Sequence, residues 1–491
     1  MSKGEYIEVF TDLYNIIDNP TKFHCSHSSE LKTHQIMENS EGKKHVAVFN
    51  FPFSRHSTSL LNLVLKLANA APNLQFSFIG THQSNKTLLI SKLQIPDTIK
   101  FYSVSDGVPE GHVPGDHPVE RVNLFLQACP QNLLDGVDMA VAYTKERVTC
   151  IISDALVAPS LTVAQRLNVP LVLVWSPWSY SLSAHFYTDL IRSRYNSAAG
   201  DTPLNLVPGL SMMRVEDLPE DTIIGVGEEE TLFSKTLASF GSVLPQAEAV
   251  VVNFYEEIDP PLLVNDMRSK FKNFLYAGFL SLSLPLPPLP PSDTDETGCL
   301  SWLDKQKGGS VAYLGFGTVA IPSPHEIVAV AEALEESGFP FLWSLKEHLM
   351  GLLPSGFLER TSGSGKVVAW APQTQVLGHG SVGVFVTHCG SNSVSESICN
   401  GVPMIMRPFF GDQGLNARMI EDIWEIGVRV EGGVFTKDGL VKCLRLILVQ
   451  EEGKRMKEKV VKVKRTVLDA AGPQGSAAQD FNTLLELVSR S

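Results

Sequence analysis

Short unbroken apolar runs alternate along most of the chain with longer stretches in which apolar side chains recur every third or fourth position. The runs fit parallel strands buried on both faces, and the stretches fit helices laid across them. Strands are expected at 45–51, 76–79, 150–153, 171–175 and 250–253. After the first of these, Leu60, Leu61, Leu63, Val64, Leu67 and Ala68 share one helical face. This β-α-β-α order predicts a doubly wound parallel sheet. The pattern breaks at 280–292, L-S-L-S-L-P-L-P-P-L-P-P-S, which reads as a stiff, extended proline-rich linker. It resumes with strands at 311–314, 340–344, 367–369, 383–387 and 404–406, and helices at 324–336, 436–449 and 453–471. A last amphipathic helix covers 477–488. Residues 1–42 lack sustained periodicity and read as a poorly ordered extension, with a short helix at 6–17 as its one candidate element. The expected division is an extension at 1–42, an α/β domain at 43–279, a linker at 280–296, a second α/β domain at 297–472 and a terminal segment at 473–491.

At 491 residues the chain exceeds what one core supports, so two domains of about 200 residues each are expected. A 44% hydrophobic and 19% charged composition is that of a soluble globular protein. The formal charge of −13 argues against nucleic acid or an anionic membrane as a general partner. An anionic ligand would then be held by local backbone dipoles. The seven cysteines, Cys25, Cys129, Cys150, Cys299, Cys389, Cys399 and Cys443, are scattered and mostly set in apolar runs. They read as reduced core thiols. Cys389 adjoins His388, but no second ligand pair stands at zinc spacing, so no metal is expected. Neither a signal peptide nor a long apolar span is legible.

The candidate chemistry concentrates between Trp370 and Gln413. A strand ending at Thr387 runs into His388-Cys389-Gly390, with a helix expected from Ser391. Gly390 permits a tight turn, and Asn392 and Ser393 offer short polar side chains beside unpaired helix N–H groups, which makes an anion pocket. Glu396, about one turn further on, can accept from a pair of neighbouring hydroxyls. Asp412 and Gln413 follow the next strand as two further acceptors for a hydroxyl-rich group. Trp370 presents a flat face on which a base can stack, although a core tryptophan would look the same. Base, ribose, diphosphate and sugar thus have a site laid out in order.

These residues resemble the sugar-nucleotide signature box of plant secondary-product glycosyltransferases, which move a sugar from a UDP-sugar onto small molecules. Both ends match at a separation of 44 residues, as do Gln373, His388-Cys389-Gly390, Asn392, Ser393, Glu396, Asp412 and Gln413. Ser391 and Ser395 stand where such boxes usually carry tryptophans. Three further segments resemble the flavonoid and anthocyanidin 3-O-glucosyltransferase branch: D-G-V-P-E-G at 106–111, S-L-S-A-H-F-Y at 181–187 and R-P-F-F-G-D-Q at 407–413. The resemblance implies a GT-B type α/β fold, two Rossmann-like doubly wound parallel-sheet domains facing across a cleft, with the terminal segment packing back on the first. It also implies a donor site made by Thr318, Trp370, Ala371, Gln373, His388, Gly390, Ser391, Asn392, Ser393, Glu396, Asp412 and Gln413. Animal relatives end in a membrane anchor and this chain does not, so a cytoplasmic protein is expected.

Transfer of a sugar to a hydroxyl needs a base for the departing proton and stabilisation of the leaving diphosphate. His56 follows the first strand and fits the family pattern P-F-x-x-H. Asp154 follows another buried strand and can orient and stabilise a charged imidazole, or alternatively cap the helix expected near Ala158. Phe53, Ser54, Arg55, Val119, Trp178, His185 and Phe410 are the candidates for a mainly apolar acceptor pocket. Arg55 and Val119 depart from the branch's pattern, and Gly315 replaces a usual serine. The expectation is an inverting enzyme that transfers glucose from UDP-glucose, its co-substrate, to a phenolic hydroxyl of a flavonoid, without another cofactor and as a monomer. UDP-galactose or another UDP-sugar as donor, or UDP-sugar binding with little transfer, are the alternatives.

Overall fold

The computed structural model describes residues 44–53, 56–90, 94–115, 118–223 and 230–490; the expected extension at 1–42, Ser54 and Arg55 lie outside them. The first sheet comprises β1 (Lys44–Phe49), β2 (Leu74–Thr81), β3 (Ile99–Val104), β4 (Val148–Asp154), β5 (Leu171–Trp175), β6 (Ala249–Val252) and β7 (Phe274–Tyr276). The second comprises β8 (Val311–Gly315), β9 (Phe341–Ser344), β10 (Gly365–Val368), β11 (Val382–Thr387), β12 (Met404–Met406) and β13 (Gly427–Arg429). Strand orders are β3-β2-β1-β4-β5-β6-β7 and β10-β9-β8-β11-β12-β13. Neighbouring strands in both sheets run parallel. Every residue of β5, β6 and β8 is buried, as helices on both faces of a parallel sheet require. These are the two Rossmann-like sheets of a GT-B fold.

Three strands fall outside the expected set, each for a local reason. β3 is mostly half-buried and mixes Lys100 and Ser103 with apolar residues, while β7 and β13 are three residues long. The proline-rich stretch starts as part of the first lobe rather than as a free spacer. Leu280 and Leu282 are buried, the Leu280 N–H donates to Asn253 Oδ1 at 2.6 Å, and its carbonyl accepts from Asn62 Nδ2 at 2.9 Å.

In each sheet the strand order reverses beside the first strand, between β1 and β4 and between β8 and β11. Open α/β sheets bind ligands at that reversal, outside the carboxyl ends of the strands. The two lobes are joined by one apolar core that contains Ala47 and Ile151 of the first sheet and Phe385 and Met404 of the second. Ion pairs seal it: Asp217 in the first lobe meets Arg418 Nε at 2.7 Å and Arg429 Nη1 at 3.0 Å. The final helix, Ser476–Arg490, returns to the first sheet, burying Leu484 and Val488 with Val46, Val48 and Leu60. Its Asp480 accepts from the Tyr276 N–H at 2.8 Å. Among the described residues, no helix is long and apolar enough to cross a membrane.

Candidate active site

His56 opens the helix His56–Ala70 just beyond β1, and Asp154 is the last residue of β4. β1 and β4 are neighbours with Phe49 opposite Ser153, so both side chains emerge at the first sheet's reversal point. His56 Nδ1 lies 2.8 Å from Asp154 Oδ2. Asp154 is not a helix cap, since the following helix starts at Ser160 with Pro159 before it. Its carboxylate accepts from the Leu156 N–H at 2.9 Å on Oδ1 and from the Ser176 hydroxyl at 3.4 Å on Oδ2. The His56 side chain is 16% exposed and that of Asp154 only 1%. Burial alone would lower the imidazole's pKa, but Asp154, bonded to it, and Asp412 across the cleft outweigh burial and raise it above the ordinary histidine value. With the Nδ1 proton assigned to the bond with Asp154, Nε2 keeps its lone pair for a proton from another group.

On the facing lobe, β8 runs out into Gly315–Thr318 and β11 into His388-Cys389-Gly390. Both glycines let backbone press against the His388 ring. A Cβ on Gly317 (φ +69°) would lie 2.7 Å from His388 Cε1, and one on Gly390 would lie 2.4 Å from Nε2. Cys389 itself has φ +66°, a left-handed conformation costing a non-glycine residue about 1–2 kcal/mol. Helix Ser391–Asn400 then begins after an extended Gly390 with no side-chain cap. Its first N–H groups are therefore available to an anion beside Ser391, Asn392 and Ser393. Thr318 is exposed at the same rim, and its carbonyl accepts from Lys346 Nζ at 2.8 Å.

Gln373 links the remaining donor-side candidates. Its Nε2 donates to Ser393 Oγ at 2.9 Å and Glu396 Oε2 at 2.5 Å, and its Oε1 accepts from the Tyr313 hydroxyl at 3.2 Å. Tyr313 was not among the sequence candidates; a tyrosine inside a buried strand carries no sign of which neighbour its hydroxyl reaches. Trp370 stands two residues past β10 and is 66% exposed, whereas Ala371 beside it is buried. A tryptophan so open presents a ring face free for stacking.

Asp412 and Gln413 lie at the other end, where a loop leaves β12. Arg407 anchors that loop by pairing with Glu326 at 2.9 Å and stacking 3.8 Å over Phe409. Gln413 Oε1 accepts from the N–H groups of Phe409 at 2.8 Å and Phe410 at 3.3 Å. The amide oxygen of Gln413 is thus occupied, which leaves its NH2 group, a donor where an acceptor was expected, as the end able to serve a ligand. Burial raises the pKa of Asp412, while a hydrogen bond from Asn416 and the charge of His56 oppose the rise. His56 and Asp412, on opposite lobes, thus each feel the other's charge.

Near His56 lies an aromatic group. Phe51 packs edge-on to His56 at 5.5 Å and to Phe53 at 5.1 Å, Phe53 meets Phe125 at 5.8 Å, and Phe233 stacks on Phe51 at 6.4 Å. Phe51, Phe125 and Phe233 were not picked out from the sequence, although Phe51 stands two positions before Phe53. Val119 and Phe410 are half-buried, on the helix Pro118–Thr144 and on the sugar-end loop. One acceptor candidate, Trp178, is corrected, and a second, His185, is buried. Trp178 is fully buried between Phe254, Phe279 and Trp424, and is part of the core joining the lobes. His185 packs against Trp175 and Phe240, and burial pushes its pKa down to about 4. Among the described residues, no group of three or more His, Cys, Asp or Glu side chains is placed to hold a metal ion.

Residues 239–470 match the family model described as UDP-glucoronosyl and UDP-glucosyl transferase. The chain is 47% identical over 462 residues to an anthocyanidin 3-O-galactosyltransferase of Rhododendron delavayi, covering 92% of this chain and 99% of that protein. The chain belongs to the UDP-glycosyltransferase family. It is also 46% identical over 459 residues to an anthocyanidin 3-O-glucosyltransferase of Vitis vinifera, covering 92% of this chain and 99% of the relative. A crystal structure of a UDP-glucose:anthocyanidin 3-O-glucosyltransferase in complex with UDP superposes with a TM-score of 0.87 at 59% identity, over 92% of this UDP-glycosyltransferase and 100% of that chain. Both the enzyme class and the flavonoid 3-O branch follow from these relatives.

Proposed function

We propose that this UDP-glycosyltransferase moves glucose from UDP-glucose to the 3-hydroxyl of a flavonol or anthocyanidin, with inversion at the anomeric carbon. The observation that carries the reading is the His56–Asp154 pair, 2.8 Å apart at the first sheet's reversal point. In this reading uracil stacks on Trp370 beside Ala371, and the ribose hydroxyls bind Glu396 and Gln373. The diphosphate lies over His388, Gly390, Ser391, Asn392, Ser393 and Thr318, and the sugar meets Asp412 and the NH2 group of Gln413. Phe53 and Phe410, with Val119 at the edge, enclose the acceptor. His56 Nε2 takes the phenolic proton as the phenolic oxygen bonds to the anomeric carbon from the face opposite UDP. The carbon–oxygen bond to UDP breaks, its electron pair leaves on the β-phosphate, and helix N–H groups stabilise that charge. The α-linked donor becomes a β-glycoside, and Asp154 stabilises the imidazolium.

The acceptor lobe is assigned to 43–279, the linker to 280–296, the donor lobe to 297–472 and the returning segment to 473–491. A monomer in the cytoplasm completes the proposal. A binding protein with little transfer activity is disfavoured by the intact His56–Asp154 pair. The test is product analysis by mass spectrometry and proton NMR with one flavonol and a panel of UDP-sugars. A β-linked 3-O-glucoside from UDP-glucose is expected. Preferential galactoside formation would overturn the donor assignment, and product from no donor would overturn transfer.

A further inference from the structure

Asn416 is fully buried in the short helix Gln413–Arg418, yet its amide satisfies three partners from both lobes. Nδ2 donates to the Cys389 carbonyl at 2.8 Å and to Asp412 Oδ2 at 3.0 Å, and Oδ1 accepts from the Tyr180 hydroxyl at 3.1 Å. The Cys389 carbonyl can only accept, which puts the NH2 group on its side and leaves Oδ1 for the Tyr180 hydroxyl. Tyr180 is itself fully buried and belongs to the first lobe's helix Ser179–Phe186. One amide therefore touches the strained peptide after His388, the carboxylate at the sugar end, and the opposite lobe.

We infer that Asn416 is a positioning residue for sugar transfer: it fixes the Asp412 carboxylate that grips the donor sugar, and through Tyr180 ties that grip to the acceptor lobe. The inference rests on the proposed role of Asp412 as a sugar contact. With Oδ2 held by Asn416, the carboxylate is fixed in orientation and offers its remaining acceptor sites to a sugar hydroxyl. The bond to the backbone carbonyl of Cys389 anchors the Asn416 amide itself, so that the carboxylate has a fixed partner. A hydrogen bond to a charged group is worth about 1.5–3 kcal/mol, or roughly 10–100-fold in binding.

The discriminating quantity is the ratio of UDP-glucose affinity to UDP affinity, since UDP lacks the sugar. Calorimetry on the full chain is expected to give Asn416→Ala a ratio reduced roughly 10-fold or more, with UDP affinity at its wild-type value. The KM for UDP-glucose should rise while the KM for a flavonol stays constant. Equal loss of both affinities would make Asn416 a merely structural residue and overturn the inference, as would no loss of either. Tyr180→Phe removes one hydroxyl without altering shape and is expected to lower the same ratio by a smaller factor. A wild-type ratio in that variant would overturn the tie between lobes. Asp412→Ala separates the two levels of the argument. If it leaves the ratio unchanged, the sugar-contact reading fails and the inference with it. If it lowers the ratio while Asn416→Ala does not, the inference alone fails.

Discussion

Replacing Asp154 by asparagine changes one atom and should remove most of the transfer rate. The Leu156 N–H, 2.9 Å from Asp154 Oδ1, can only donate. It therefore keeps the amide oxygen of an asparagine facing itself and turns the NH2 group towards His56 Nδ1, which now lies 2.8 Å from Oδ2. Nδ1 must then accept, the imidazole proton moves to Nε2, and the nitrogen facing the acceptor loses its lone pair. Loss of the charge-assisted hydrogen bond alone is worth about 1.5–3 kcal/mol, a roughly 10–100-fold fall in kcat. The wrong tautomer carries the loss towards the ~10²–10⁴-fold range of a missing general base. Asp154→Ala leaves the tautomer free and should retain more activity than Asp154→Asn. Steady-state rates with UDP-glucose and a flavonol measure kcat, and calorimetry with UDP checks the donor lobe, which neither change should disturb. An Asp154→Asn enzyme with kcat within about threefold of wild type would refute the reasoning, as would one that loses UDP affinity in parallel.

Other expectations follow from single features. Trp370→Ala should weaken UDP binding by roughly 10–100-fold if base stacking is worth about 1–3 kcal/mol, and the thermal midpoint should not move because the ring is 66% exposed; unchanged calorimetric affinity would contradict the uracil assignment. Transfer needs neutral His56, whose pKa is raised, burial opposing and Asp154 outweighing it. Plots of kcat/KM against pH should therefore rise through a midpoint above the ordinary histidine value, and Asp154→Asn should move that limb to lower pH, not higher. Asp217→Ala removes the buried carboxylate that Arg418 and Arg429 share, leaving Arg418 with Asp422 and the exposed Glu216 and Arg429 with Glu421. A buried charge left with no partner costs about 3–5 kcal/mol, and the carboxylates Arg418 keeps reduce that loss, so calorimetric unfolding should begin a few degrees lower; an unchanged midpoint would remove the seam from the account.

Much of this architecture could be read from one sequence because burial imposed it. Strands such as Leu171–Trp175 and Met404–Met406 are enclosed on both faces, so their apolar runs have no competing explanation. β3, β7 and β13 escaped notice because they are partly exposed or very short. At the site, His56, Asp154 and His388 announced themselves by standing where strands end, which is a property of order along the chain. Trp178 and Phe125 could not be sorted, since an aromatic residue that lines a pocket and one that fills a core have the same local pattern. Tyr313 and Asn416 matter through hydrogen bonds to residues 60 and 27 positions away, to Gln373 and Cys389, and such partners have no trace in local sequence. Gln413 shows the same limit: its identity was legible, but which end of its amide the backbone would occupy was not.

Everything in this account converges on proton removal by His56 from an acceptor held opposite a bound UDP-sugar. The direct test is the single-turnover rate of flavonol glucosylation by His56→Ala at UDP-glucose concentrations that saturate both enzymes. The account predicts a loss of ~10²–10⁴-fold with UDP affinity intact; transfer at the wild-type rate would contradict it.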